Sequence, residues 1–198
     1  KAIAKAALRP GHQVLDLAGG TGDMSLRIAK KIGPTGSVIL SDINPSMLAH
    51  GRERLENLSE ANLVKYSLVN AEKIPFAKNK FNAVTMAFGL RNCTDKQAVL
   101  NEMYRVLKPA GRAIILEFSH PVVPGLKTLY DAYSFSALPA LGKIICNDSE
   151  SYKYLAESIR MHPDQETLKG MMDKAGFLRT SYENLTGGIV AIHMGIKL

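Results

Sequence analysis

No stretch of this chain approaches the ~20 consecutive apolar residues that cross a bilayer. Cysteine is scarce, with two in 198 residues. Cys93 and Cys146 stand in no metal-ligand spacing, and two isolated thiols suggest a reducing compartment without a structural disulfide. The five histidines (His12, His50, His120, His162 and His193) form no H-x-x-x-H or related motif, so no metal site is expected. The net charge is +7, yet lysine and arginine are scattered, with no basic run to mark a nucleic-acid or membrane patch. A solvated surface is the expectation, and nucleic acid is not an expected partner. No signal peptide opens the chain. Lys1-Ala-Ile-Ala-Lys-Ala-Ala-Leu8 reads as the end of a helix that begins upstream, so a native N-terminal region is expected before Lys1 and missing targeting signals carry little weight.

What remains is a chain that is 46% hydrophobic, enough for one α/β domain with a substantial core. Strand-like and helix-like segments alternate, which argues for a doubly wound, mainly parallel sheet. Strands are expected at Val14–Leu17, Ser37–Ser41, Leu63–Val69, Phe81–Phe88 and Arg112–Glu117. Helices are expected at Met24–Ile32, from Asn44-Pro45 to about Leu58, and from Asp95 to Val106. Lys108-Pro-Ala-Gly111 reads as a stop and turn. The rhythm breaks between Ser119 and Met161, where prolines at 121, 124 and 139 and a group of aromatics suggest an inserted helical lid after strand five. A helix opened by Pro163 and closed by Ala175-Gly176 follows. Thr180–Leu185 and Ile189–Lys197 flank Thr186-Gly-Gly188, so the sheet should end in an antiparallel hairpin.

The densest signal is Val14-Leu-Asp-Leu-Ala-Gly-Gly-Thr-Gly-Asp23, a buried strand running into a glycine-rich turn and a helix. Such a turn lets a ligand approach the backbone and meets it with the amides of a helix N-terminus. The dinucleotide fingerprint G-x-G-x-x-G is missing its last glycine, because Ser25 stands there. Asp16 precedes Gly20 by four residues. A carboxylate at that point opposes a pyrophosphate and suits a cation. D-x-x-x-G-x-G, with Gly20, Thr21 and Gly22, therefore favours S-adenosyl-L-methionine, which carries an ammonium, a sulfonium and no phosphate.

Ligands of such sheets lie beyond the carboxyl ends of the strands. Strand two ends at Asp42-Ile43, where an acid can accept from both ribose hydroxyls, or can simply cap a helix. Strand three leads to Asn70-Ala71-Glu72, which can read an adenine edge. Strand four ends Ala87-Phe-Gly-Leu-Arg-Asn92 and should face the acceptor. It has neither the N-P-P-Y motif of enzymes that methylate base nitrogens nor a Pro-Cys nucleophile. Arg91 and Asn92 offer a cation and an amide that suit a phenolic oxygen behaving as a phenolate. An ordinary ion pair to a nearby acid is the plainer reading of Arg91.

These segments carry a resemblance. Asp16-Leu-Ala-Gly-Gly-Thr-Gly-Asp23, Asp42-Ile-Asn44, Asn70-Ala-Glu72, Phe88-Gly-Leu-Arg-Asn92 and Tyr104-Arg-Val-Leu-Lys-Pro109 resemble the ubiquinone/menaquinone biosynthesis C-methyltransferases. So do Tyr130-Asp-Ala-Tyr-Ser-Phe135 and Tyr154-Leu-Ala-Glu-Ser-Ile-Arg-Met-His-Pro-Asp164, both within or beside the insertion. The resemblance implies a seven-stranded Rossmann-like sheet of the class I methyltransferase kind. It implies transfer of a methyl group to a ring carbon of a polyprenylated benzoquinol or naphthoquinol. Carried over by position, donor contacts fall on Thr21, Asp42, Asn70 and Ala71. The strand-four tip often has a serine in the family, where this chain has Ala87 and only backbone to offer. Asp131 or His120 would serve as general base, and Arg91 would stabilise a phenolate or orient water. Phe135, Leu138, Leu141, Ile144 and Ile145 would line an apolar groove or simply form a buried helical face. Other acceptors (a sterol, an RNA) and a non-catalytic donor-binding subunit are the competing readings. The resemblance also implies a cytoplasmic protein at the inner-membrane periphery if bacterial, or on the matrix side of a mitochondrion if eukaryotic. Association with a quinone-biosynthesis complex and a homodimer are compatible with it.

Overall fold

The computed structural model describes residues 1–125 and 149–198. Seven strands form one sheet: β1 (Gln13–Leu17), β2 (Ser37–Asp42), β3 (Val64–Leu68), β4 (Phe81–Ala87), β5 (Leu107–Phe118), β6 (Leu178–Leu185) and β7 (Val190–Ile196). Their spatial order is β3-β2-β1-β4-β5-β7-β6. The first five run parallel, and β7 is antiparallel to both β5 and β6. The order reverses beside β1, so the tips of β1 and β4 diverge and leave a crevice at the carboxyl edge.

The helices are α1 (Ala2–Lys5), α2 (Asp23–Ile32), α3 (Pro45–Leu55), α4 (Lys96–Val106), α5 (Ser149–Met161) and α6 (Gln165–Lys174). Side-chain caps start three of them. Asn44 Oδ1 accepts from Ser46 and Met47 N–H, Asp95 from Ala98 N–H, and Asp164 from Thr167 N–H. Central strands β1 and β4 are buried on both faces and read as nearly unbroken apolar runs. One core cluster joins Leu15, Leu17, Val84 and Ile115 to Leu100, Met103, Leu168 and Phe177. The other joins Val14, Val38, Leu40 and Ile114 to Ile28, Ile32 and Leu55.

The structure departs most from expectation at the start of β5 and at the hairpin turn. β5 begins at Leu107, not Arg112, because Phe81 pairs with Leu107 before Ala83 pairs with Arg112. The expected Lys108–Gly111 turn is real, but it is a bulge inside the strand, with Ala110 at φ +64°. The hairpin turn at Thr186–Gly188 is a short 3-10 turn in which all three residues take positive φ. Of the expected insertion, α5 is described, and residues 126–148 lie outside the described residues.

Candidate active site

A cavity of about 470 Å³ opens at the carboxyl ends of β1, β2 and β4. That is within the ordinary range for a small-molecule site. Gly20, Asp42, Ile43, Asn70, Ala71 and Asn92 all stand on its wall. The fold therefore gathers residues from four separate stretches of the chain around one space.

Glycine chemistry shapes the floor. Gly22 precedes α2 at φ +83°, and a Cβ there would lie 2.7 Å from Leu55 Cδ1 and 2.8 Å from Leu40 Cδ1. At Gly51 of α3 a Cβ would lie 2.6 Å from the Gly20 carbonyl oxygen, so this helix touches the turn itself. The turn is tied to β2, since Gly20 N–H donates to Asp42 Oδ2 at 3.0 Å.

Asp42 Oδ1 accepts from Asn44 N–H at 2.9 Å, and Asn44, not Asp42, caps α3. The capping alternative for Asp42 is thus removed, and its carboxylate borders the cavity while holding two loops in place. Asn70 Oδ1 accepts from Glu72 N–H at 2.9 Å, which leaves its amide N–H groups as the part that can meet a ligand. Glu72 Oε1 accepts from Thr94 N–H at 2.7 Å and Asp95 N–H at 3.0 Å, joining the loop after β3 to the start of α4. Ile43 is 65% exposed, an apolar side chain left facing the space beside Asp42.

Asp16 does not face the ammonium of a ligand, against the expectation from its place four residues before Gly20. Its side chain is fully buried, with Ser25 Oγ donating to Oδ2 and Thr85 Oγ1 donating to Oδ1, each at 2.7 Å. Burial pushes its carboxyl up to about 6, against the lowering effect of those two bonds. Asp16 clamps β1 to α2 and β4 and so shapes the turn from below. It forms part of the floor of a second cavity, about 410 Å³, lined also by Thr21, Ala87 and Phe88. Phe88 and Met47 border both cavities. Arg54 Nη1 donates to Thr21 Oγ1 at 3.2 Å, which leaves the hydroxyl hydrogen of Thr21 available.

Arg91 is not a cation presented to an acceptor; of the two expectations for it, the fold contains the ion pair. Arg91 Nη1 lies 2.9 Å from Glu117 Oε1, with the two side chains 12% and 1% exposed. Glu117 Oε2 also accepts from Arg91 N–H at 3.2 Å, and Oε1 from Phe118 N–H at 2.9 Å. The guanidinium lies 5.3 Å from the Phe118 ring centroid and donates to the Phe88 carbonyl. Phe88, at φ +55°, packs on Phe118 with centroids 4.9 Å apart. Arg91 thus stands behind the cavity wall, and Asn92 stands on it. Tyr154 of α5 donates to Asn92 Oδ1 at 3.3 Å.

Glu117 was missed in the sequence. The signal was its place at the tip of β5, one strand over from Arg91. Asp131 lies outside the described residues, as do Tyr130, Tyr133 and the expected groove residues from Phe135 to Ile145. His120 Nε2 lies 3.0 Å from the His162 carbonyl oxygen. A carbonyl only accepts, so Nε2 carries the proton and Nδ1 is the basic nitrogen of that ring. Cys93 borders the cavity, but burial pushes its thiol up to about 11, a value unsuited to a nucleophile. Among the described residues no group of His, Cys, Asp or Glu is arranged to hold a metal, and no helix is long and apolar enough to cross a membrane.

Comparison with known proteins agrees with this geometry. A solved methyltransferase from Aquifex aeolicus, described as S-adenosylmethionine dependent, superposes with a TM-score of 0.72 at 18% identity, over 99% of this chain and 87% of that one. The cyclase SpnF superposes with a TM-score of 0.75 at 17% identity, over 99% of this chain and 78% of that one. One fold thus hosts different chemistries, and likeness of fold leaves the activity to the site. Sequence likeness is far stronger. The ubiquinone/menaquinone biosynthesis C-methyltransferase UbiE of Pseudoalteromonas translucida is 59% identical over 195 residues, which is 98% of this chain and 78% of that protein. A family model matches residues 1–197. With the strand order, the glycine turn and the sequence all in agreement, the chain belongs to the ubiE/COQ5 methyltransferase family.

Proposed function

We propose that this chain methylates a ring carbon of a polyprenylated benzoquinol or naphthoquinol with S-adenosyl-L-methionine as donor, in ubiquinone or menaquinone biosynthesis. The observation that carries the reading is the convergence of Asp42, Asn70 and Asn92 on one cavity beside a glycine turn that no Cβ can enter at Gly22. The residues fit this donor. Asp42 offers carboxylate oxygens where a ribose would lie, Asn70 offers amide hydrogens, and Ile43 and Ala71 offer apolar surface for a purine. Thr21 and the backbone of Ala87 face the adjoining space, which suits the amino-acid end. When bound, the donor supplies an electrophilic methyl group.

The chain's own contribution is placement and electrostatics. Asn92 holds the acceptor's ring oxygen by its amide, with Tyr154 fixing that amide from the other side. Arg91 lies behind it, its charge balanced by Glu117, and orients the Phe88–Asn92 turn. The ring hydroxyl gives its proton to a base, for which His120 Nδ1 and Asp131 are the candidates. Negative charge then concentrates on the adjacent ring carbon, which becomes the nucleophile; once it carries the methyl group, that carbon gives up its own hydrogen as a proton and the ring regains its aromaticity. The same reading places the reaction at a membrane surface, since the acceptor's tail is apolar.

The test is transfer of a deuterated methyl group from labelled donor to demethylmenaquinol and to the demethylated benzoquinol, followed by mass spectrometry. Labelled product from either supports the reading, and the ratio names the preferred ring. No labelled quinone from either, with donor bound, overturns it.

A further inference from the structure

Tyr104-Arg-Val-Leu-Lys-Pro109 carries part of the family resemblance, yet none of its residues lines either cavity. Much of the segment is packing. Val106 and Leu107 are fully buried in the core. Tyr104 meets Phe177 edge-on, with ring centroids 5.2 Å apart. Arg105 instead reaches into the connection between β3 and β4.

Residues 69–80 make that connection without a regular helix or strand. Their backbone groups therefore need partners from outside it. Val69 N–H donates to the Asp42 carbonyl at 2.9 Å, which ties the start of the connection to β2. Asn70, Ala71 and Glu72 then line the cavity, and Lys73 N–H closes a turn onto the Asn70 carbonyl at 3.0 Å.

The far side of that turn is held by α4. Arg105 Nη2 donates to the Ile74 carbonyl and Nη1 to the Phe76 carbonyl, each at 2.8 Å. Ile74 N–H donates to Glu102 Oε2 at 2.7 Å. Glu102 and Arg105 form a two-pronged pair, with Nε donating to Oε1 at 2.6 Å and Nη2 to Oε2 at 2.8 Å. Residues three apart on a helix share a face, and the fork geometry fixes both side chains. The pair thus grips Ile74 by its N–H and its carbonyl at once. The same contact with Arg105 holds the Glu102 carboxyl below the ordinary carboxylate range.

We propose that Arg105, held by Glu102, is a positioning residue for the donor. It touches no ligand. Through Ile74 and Phe76 it fixes the turn that presents the Asn70 amide and Ala71 to the adenine end of S-adenosyl-L-methionine, and so sets affinity and selectivity for that base. The assignment rests on the placement of the base at Asn70 and Ala71 in the function proposed above. A lysine keeps the charge but has no fork, so it cannot serve Glu102 and two carbonyls together. The connection should survive that change, because Ile74 is 3% exposed and Phe76 packs edge-on against Phe81 at 5.4 Å.

The test is equilibrium binding to the full chain by calorimetry, which needs no acceptor. The probes are S-adenosyl-L-homocysteine and S-inosyl-L-homocysteine, which differ at the hydrogen-bonding edge of the purine. Arg105→Lys is expected to weaken S-adenosyl-L-homocysteine about tenfold, and to shrink the preference for it over the inosyl probe roughly threefold or more. Glu102→Gln loses one prong and should fall between Arg105→Lys and wild type; it takes the place of Arg105→Lys if that chain does not fold. A Kd within about twofold of wild type overturns the proposal. So does weaker binding with an unchanged preference, which is what general loosening of the fold would give. Asn70→Ala tests the placement beneath it. If Asn70→Ala loses the preference while Arg105→Lys keeps it, the placement stands and the role of Arg105 falls. If wild type shows no preference, or Asn70→Ala keeps it, the placement falls and takes this role with it.

Discussion

Replacing Glu117 by glutamine removes one charge and little volume, so it isolates the ion pair with Arg91. Both side chains are nearly withdrawn from solvent, at 12% and 1% exposure. Removing one partner of a buried pair leaves an uncompensated charge, which costs about 3–5 kcal/mol. Glutamine can still accept from one of the two backbone N–H groups, of Arg91 and Phe118, that Glu117 serves. For a chain of 198 residues, each kcal/mol lowers Tm by about 2–4 °C. A fall of roughly 6–20 °C is therefore expected, with an unchanged urea m-value if compactness is kept. The double variant Arg91→Met/Glu117→Gln removes the stranded charge as well, and it should recover about 2 kcal/mol of the loss. Urea unfolding followed by circular dichroism at pH 7.5 measures all three proteins. A loss below about 1 kcal/mol for Glu117→Gln would refute the claim that the pair is buried and coupled. So would a double variant no more stable than the single.

Three other outcomes follow from the same geometry. Gly22→Ala should cost about 2–4 kcal/mol, because it combines a left-handed backbone with overpacking against Leu40 and Leu55, and calorimetry should show weakened donor binding; a neutral substitution would sink the account of the turn. The Asp16 carboxyl is raised on folding to about 6, so its favourable contribution is full below the unfolded value of 3.8 and is lost as pH rises through 6. Asp16→Asn should therefore gain stability relative to wild type between pH 4 and pH 8, and a pH-independent difference in denaturation midpoints would contradict the burial argument. Cys93, raised to about 11, should resist iodoacetamide at pH 8 in the native state and react at the rate of a free thiol in urea, with peptide mapping to confirm the site.

Much of the fold was legible because its signals are local. Asp95 and Val106 bound α4 in the sequence as in the structure, since a capping acid and a bulge-forming Pro-Ala-Gly punctuate it. The residues that line the cavity were legible for a related reason. Asp42 and Asn70 end strands, and the topology of a parallel sheet gathers strand ends in one place. Two partnerships were not legible. Asp16 meets Thr85 across 69 residues and Arg91 meets Glu117 across 26. A strand tip shows which residues gather, but a carboxylate there can turn outward to a ligand or inward to a hydroxyl. That choice depends on packing from three elements at once, and no spacing encodes it. The Lys108–Gly111 segment shows the same limit, because its residues demand a turn without saying that the strand resumes pairing on both sides of it.

The seventh strand in chain order is not an edge of the sheet. It lies between β5 and β6, and its backbone pairs with both. During synthesis β5 emerges roughly eighty residues before its second neighbour, and for that interval it has an open side. The ribosome therefore releases a half-finished sheet whose exposed edge is a central strand carrying Ala113, Ile114 and Ile115, all buried in the finished protein. A stalled or prematurely terminated chain would offer this edge to other chains. This strand order thus places an aggregation hazard late in translation, after the strands whose ends border the cavity have been made.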